Sequence, residues 1–85
     1  MRLLVVEDEH SLREDIARKL RLSGYEVDAC ADGEAALEAL AAERYDLVLL
    51  DVMMPHIDGY DLLAYLRPTG TPCIFITAKD AVAAR

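Results

Sequence analysis

Tryptophan is absent from this 85-residue chain, phenylalanine occurs once and cysteine twice, and basic residues are scarce, with 9 Lys and Arg against 16 Asp and Glu. Each shortage excludes something. The formal charge of −7 argues against this segment gripping nucleic acid or an anionic membrane, and suits a divalent cation or a basic partner patch. Cys30 and Cys73 match neither a metal-site spacing nor a disulfide framework. No apolar run approaches the ~20 residues that span a bilayer, and Met1-Arg2 leads straight into Leu3 without a signal segment. The chain therefore reads as cytoplasmic, with no membrane partner and with both thiols reduced. No repeat, low-complexity tract or linker interrupts it.

Apolar residues make up 54% of the chain, enough for one compact core of Leu, Val, Ile and Ala. A chain this short buries only roughly 60–65% of its unfolded surface, so a single domain of marginal stability is expected. Its pattern alternates strands and helices. The first strand covers about Arg2 to Val6. From Ser11 to Ser23, Leu12, Ile16 and Leu20 form one apolar helical stripe, with Arg13, Arg18, Lys19 and Arg21 read as its solvated face. Gly24 supplies a left-handed stop. A second strand, Glu26 to Cys30, alternates polar and apolar residues as an edge strand does.

Asp32 is placed as the cap of a helix ending near Arg44. A third strand, Leu47 to Leu50, is followed by a loop over Met53-Met54-Pro55-His56-Ile57. Asp58-Gly59 then opens a helix to about Arg67, stopped by Pro68 and Gly70. A fourth strand, Cys73 to Ile76, leads to Thr77-Ala78, and Asp80 caps the start of another helix. This alternation implies right-handed crossovers and a parallel sheet with helices on both faces. The unbroken apolar character of the first, third and fourth strands agrees, because such strands are buried on both sides.

Two of these buried runs end in acid: Leu3-Leu4-Val5-Val6 in Glu7-Asp8-Glu9, and Leu47-Val48-Leu49-Leu50 in Asp51. Clustered carboxylates repel one another and resist ionisation, so two such endings suggest a pocket built for a cation. Sites in open parallel sheets form beyond the carboxyl ends of the strands, where Glu7, Asp8, Asp51 and Thr77 all fall. Neighbouring first and third strands, about 4.8 Å apart, would let Asp8 and Asp51 reach one ion. Oxygen-only donors point to Mg²⁺ or Mn²⁺ rather than zinc. A plainer reading is that each acid ends a strand or caps a helix; it serves for Glu9 and for Asp58. It does not serve for Asp51, because Val52-Met53-Met54-Pro55 is a poor cap and a poor turn.

Taken in order, Glu7-Asp8, Asp51, Pro55 four positions later, Asp58-Gly59 and Thr77-Ala78 resemble the receiver domain of two-component response regulators. The resemblance covers the whole chain, 1–85. It implies a flavodoxin-like (CheY-like) α/β fold, a doubly wound parallel sheet in the order 2-1-3-4. It implies that Asp51 is the phosphoacceptor, a carboxylate nucleophile supplied by a sensor histidine kinase. Asp8 and Asp51 would hold Mg²⁺ directly, Met53 through its backbone carbonyl, and Glu7 through water. Thr77 would donate to a phosphoryl oxygen and carry the switch. Phosphoryl transfer needs chiefly positioning and charge neutralisation, which explains this set of residue types. The stretch Thr77-Ala78-Lys79-Asp80 resembles the branch fused to winged-helix domains (OmpR/PhoB-like), implying transcription regulation through an output domain that alone touches DNA. In such proteins the first helix, here with Ser11, Leu12 and its basic residues, commonly meets the kinase.

The resemblance also implies a fifth strand ending in an essential lysine, and further helices, all missing from this chain; Lys79 stands where the family varies. The receiver is therefore expected to be incomplete at its C-terminus, to bind metal readily and to switch poorly. Two alternatives stay open: a pseudo-receiver acting only as an interaction module, and a Mg²⁺-dependent phosphohydrolase with an Asp nucleophile. The second would want a carboxylate two residues after the nucleophile, where this chain has Met53. The family's function is a switch and not a turnover enzyme. His10 and His56 read as surface loop residues and Met53-Met54 side chains as loop packing. Cys30 and Cys73, three strand spacings or ~14 Å apart in the order 2-1-3-4, should not form a bridge.

Without a neighbour, Cys73-Ile74-Phe75-Ile76 is an apolar edge that invites pairing. Dimerisation or strand exchange through that edge is expected, and light scattering that returns a monomeric mass at high concentration would sink it.

Overall fold

A computed structural model describes residues 1–51 and 64–76, with Asp51 and Ile76 described by their backbone alone. The described chain runs β1 (Arg2–Val6), α1 (His10–Leu22), β2 (Glu26–Cys30), α2 (Gly33–Ala42), β3 (Leu47–Asp51) and β4 (Cys73–Ile76). Residues 64–66 are helical and pass into a 3-10 turn, Arg67–Thr69, ahead of β4. The four strands form one parallel sheet in the order β2-β1-β3-β4, as expected.

Pleating sends alternate side chains of the central strands to opposite faces. Leu4 and Val6 of β1 join Val48 and Leu50 of β3 under Ala36 of α2 and Leu66. Leu3 and Val5 join Val27 of β2 under Ala17 of α1, flanked by Ile16 and Leu20. Helices therefore cover both faces, which is the doubly wound arrangement. It is also why β1 and β3 carry unbroken apolar runs.

The local signals act as their chemistry requires. The Asp32 side chain accepts from the Ala35 N–H at 2.8 Å, capping α2. Gly24, with φ +101°, follows the Ser23 cap of α1, and Gly70, with φ +74°, closes the 3-10 turn. Both angles lie where a side chain is disfavoured.

The boundaries differ in four places. The first helix spans His10–Leu22 rather than Ser11–Ser23. The second stops at Ala42 rather than near Arg44, because Glu43 is already extended (φ −135°, ψ 157°) to bring Tyr45 under the sheet. Helical residues 64–66 give way at Arg67 to the 3-10 turn, with Pro68 in its first turn, where a missing N–H costs nothing. The third strand extends to Asp51, which pairs with Ile76. The loop over residues 53–57, the helix start at Asp58-Gly59, Thr77-Ala78 and the helix from Asp80 lie outside the described residues.

The two borders of the described sheet contrast. β2 carries Glu26 and Asp28, and β4 carries Ile74 and Phe75, which stay 50% and 38% exposed. Cys30 and Cys73 sit on these two strands, with β1 and β3 between them, and both are free thiols.

A polar clamp closes the amino end of the sheet. Arg2 donates through Nη2 to Asp28 Oδ2 at 3.0 Å, and Tyr45 donates its hydroxyl to the same oxygen at 2.6 Å. The Arg2 guanidinium lies over the Tyr45 ring, 5.7 Å from its centroid. The Arg2 N–H donates to Asp46 Oδ2 and the Asp46 N–H to the Arg2 carbonyl, each at 2.8 Å. The clamp joins β1, β2 and the segment entering β3. Hydrogen bonds from Tyr45 and then Arg2 hold the Asp28 carboxyl below its ordinary value, and burial together with Asp28 pushes the Tyr45 phenol up to about 12.

A depressed carboxyl contributes stability above its unfolded value and loses it as pH falls through the folded one. Asp28→Asn should therefore cost about 1 kcal/mol near neutral pH in urea unfolding. The difference from the unaltered chain should shrink as pH falls below the ordinary carboxylate range.

Candidate functional site

The register of the central strands places the acids. Val6 of β1 lies opposite Leu50 of β3, so Glu7 and Asp51 each stand one residue further along, at the carboxyl ends of adjacent strands. Asp51 lies opposite Ile76 at the end of β4, and Thr77 is the next residue in the chain. β1 and β3 thus bring Glu7 and the backbone of Asp51 to one end of the sheet. Met53, Thr77 and the Asp51 side chain lie outside what is described. Among the described residues no group of three or more His, Cys, Asp or Glu stands ready to hold a metal.

Glu7 and Asp8 differ sharply. Glu7 is 0% exposed, whereas Asp8 is exposed. The Glu7 N–H donates to the Cys30 carbonyl at 3.1 Å, tying the end of β1 to the end of β2. Glu7 Oε2 accepts from the Glu9 N–H at 3.0 Å. Glu9 occupies the cap position of α1, but its side chain makes no capping bond; its backbone carbonyl accepts from the Arg13 N–H at 2.9 Å. A buried carboxylate is costly unless its charge is compensated. Here it lies beside two further acidic residues, and the nearby donor set is oxygen, which fits a hard divalent cation.

Arg13 is the residue that sequence reasoning placed wrongly. It was expected on the solvated face of α1, yet its side chain is only 15% exposed. Nη1 donates to the Glu7 carbonyl at 3.0 Å and Nη2 to His10 Nδ1 at 2.9 Å. Helical side chains lean toward the N-terminus, so a residue in the first turn covers the loop before the helix. That lean was the available signal. Arg21 also reaches inward, donating to the Val27 carbonyl at 2.7 Å, whereas Arg18 pairs on the surface with Asp15. A cleft of about 600 Å³ opens at the opposite end of the sheet, lined by residues such as Tyr45, Asp46, Tyr65 and Pro72; neither Glu7 nor Asp8 lines it.

The family model described as "Response regulator receiver domain" matches residues 3–85. The chain belongs to the response regulator receiver family. It is 44% identical over 87 residues to the response regulator MprA of Mycolicibacterium vanbaalenii, and equally to that of Mycobacterium leprae. Each match covers 100% of this chain and 38% of the relative, so the chain spans well under half the length of these curated relatives. Among solved structures, the receiver domain of the Francisella response regulator 1452 superposes with a TM-score of 0.85 at 32% identity, covering 95% of this chain and 69% of that one. The receiver domain of the hybrid histidine kinase CckA gives 0.82 at 44% identity, covering 88% and 73%. The Thermotoga maritima response regulator TrrA, in complex with Mg(2+)-BeF, gives 0.78 at 38% identity, covering 89% and 66%. No described helix of this receiver is long and apolar enough to cross a membrane.

Cys30 ends β2 beside this site. Burial, then the charges of Asp28 and Asp32, push its thiol up to about 11. The thiolate is the reactive form, so alkylation of Cys30 by iodoacetamide at about pH 8 should run on the order of a hundredfold slower than for a free thiol. Mass spectrometry of the digested product measures this.

Proposed function

We propose that Asp51 is the phosphoacceptor of this receiver domain. The observation that carries the reading is the register. It sets Asp51 at the last position of β3, beside the end of β1, where the chain turns into Glu7-Asp8. Asp8, Asp51 and the Met53 carbonyl would hold Mg²⁺ or Mn²⁺, with Glu7 acting through water. The buried Glu7 carboxylate and the all-oxygen donors support that assignment. When bound, the ion neutralises charge on the phosphoryl oxygens.

The chain's own part is nucleophilic. An Asp51 carboxylate oxygen forms a bond to phosphorus as the bond from phosphorus to the imidazole nitrogen of a phosphohistidine breaks. The leaving imidazole takes up a proton. Thr77 would donate its hydroxyl to a phosphoryl oxygen and relay the change. The domain then acts as a switch, and each phosphoryl group received is one signal, not one turnover.

The donor is a sensor histidine kinase, which would meet the surface around the start of α1. The recipient of the signal is an output domain in the parent protein. The likeness of Thr77-Ala78-Lys79-Asp80 to the winged-helix branch supports a DNA-binding transcription regulator working in the cytoplasm. An acidic receiver leaves DNA contact to that other domain.

Incubation with acetyl phosphate, or with beryllofluoride, tests the assignment. With Mg²⁺ the chain should gain one phosphoryl group from acetyl phosphate, or bind one beryllofluoride, mapped to Asp51; chelation or Asp51→Asn should abolish it. Mg²⁺ binding without any adduct at Asp51, in this chain and in one extended to the length of its relatives, would instead identify a pseudo-receiver.

A further inference from the structure

We infer that Arg13 is a positioning residue for the acidic site, holding the peptide that joins Glu7 to Asp8. This rests on the reading of Glu7 and Asp8 as metal-binding residues and adds to it a residue from outside the acidic set. The Glu7 carbonyl is the oxygen of that peptide, and Arg13 Nη1 donates to it at 3.0 Å. A second arm of the same guanidinium is fixed on His10 Nδ1 at 2.9 Å. Because the guanidinium is planar and rigid, two anchors define its plane, and so the direction from which it grips the carbonyl. Glu14 lies further off, with Oε2 3.9 Å from Arg13 Nε.

The rest of the turn is held from other sides. The Glu7 N–H is bound to Cys30 and its Oε2 to the Glu9 N–H. The Arg13 N–H begins α1 by donating to the Glu9 carbonyl. Arg13 therefore grips both ends of the three-residue turn, Glu7 with its side chain and Glu9 with its backbone. Rotation of the Glu7–Asp8 peptide would break the guanidinium bond and re-aim Asp8, whose side chain has no such support of its own among the bonds described. Groups that orient ligands in this way commonly change metal affinity by about 10–100-fold when removed.

The sign of the effect separates positioning from simple charge. A cation close to the site repels Mg²⁺, so if Arg13 acted by its charge alone, its neutralisation would tighten binding. Positioning demands the reverse. The test is Mg²⁺ titration of the 85-residue chain, followed by calorimetry or NMR, with Arg13→Gln, Arg13→Lys and Val27→Ala compared. Val27→Ala removes core packing on the α1 face and matches a loss of stability without touching the turn.

Arg13→Gln should weaken Mg²⁺ about tenfold. Arg13→Lys, which keeps a donor and the charge, should recover at least half of that change on a logarithmic scale. Val27→Ala should leave affinity unaltered. Unchanged or tighter binding by Arg13→Gln overturns the inference, as does no recovery with lysine, or equal weakening in Val27→Ala. If the unaltered chain fails to bind Mg²⁺ at all, the metal reading itself falls, and the inference with it.

Discussion

Everything described in this receiver depends on β1 lying in parallel register between β2 and β3. Leu3 to Val6 are buried on both faces, so this strand has no solvent side on which an error could be tolerated. A slip of one residue would send Leu4 and Val6 to the α1 face and Leu3 and Val5 to the α2 face. The same slip would move Glu7 out of line with Asp51. The packing that makes the fold stable is thus the packing that aligns the acids.

The two ends of the sheet are built on opposite electrostatic principles. At the amino end, Arg2, Asp28, Tyr45 and Asp46 are tied together by charge-assisted hydrogen bonds to the two carboxylates. Such a cluster is a structural lock between three strands' worth of chain. At the carboxyl end, acids accumulate and the inward-turned cation, Arg13, gives its hydrogen bonds to a backbone carbonyl and a histidine, with the Glu14 carboxylate further off at 3.9 Å. Net negative charge therefore remains at the end where parallel sheets place their sites. Stability and chemistry are separated by the length of four or five strand residues.

Much of this was legible beforehand. β1, β2 and β4 fall where their composition and flanking turns put them, and β3 is one residue longer than its apolar run. Asp32 caps α2, Gly24 takes up the left-handed angle its position suggested, and Gly70, read as a stop, does so too. The order of the strands came from the family pattern, because periodicity cannot say which strands are neighbours. Helix ends were less legible, since α2 stops early for a reason remote from its own sequence: Tyr45 must reach Asp28 on another strand.

The sequence by itself determined the sheet's composition and direction, because alternating strands and helices permit only right-handed crossovers. It also determined that Glu7-Asp8 and Asp51 stand at the carboxyl ends of apolar strands. Only the tertiary structure decided that Glu7 is enclosed while Asp8 faces outward, and that Arg13 turns back onto the Glu7 carbonyl. The reason is that local pattern fixes where a side chain starts, whereas burial and hydrogen bonding depend on groups brought near by folding. An arginine on a helix reads the same in sequence whether it meets water or a backbone carbonyl.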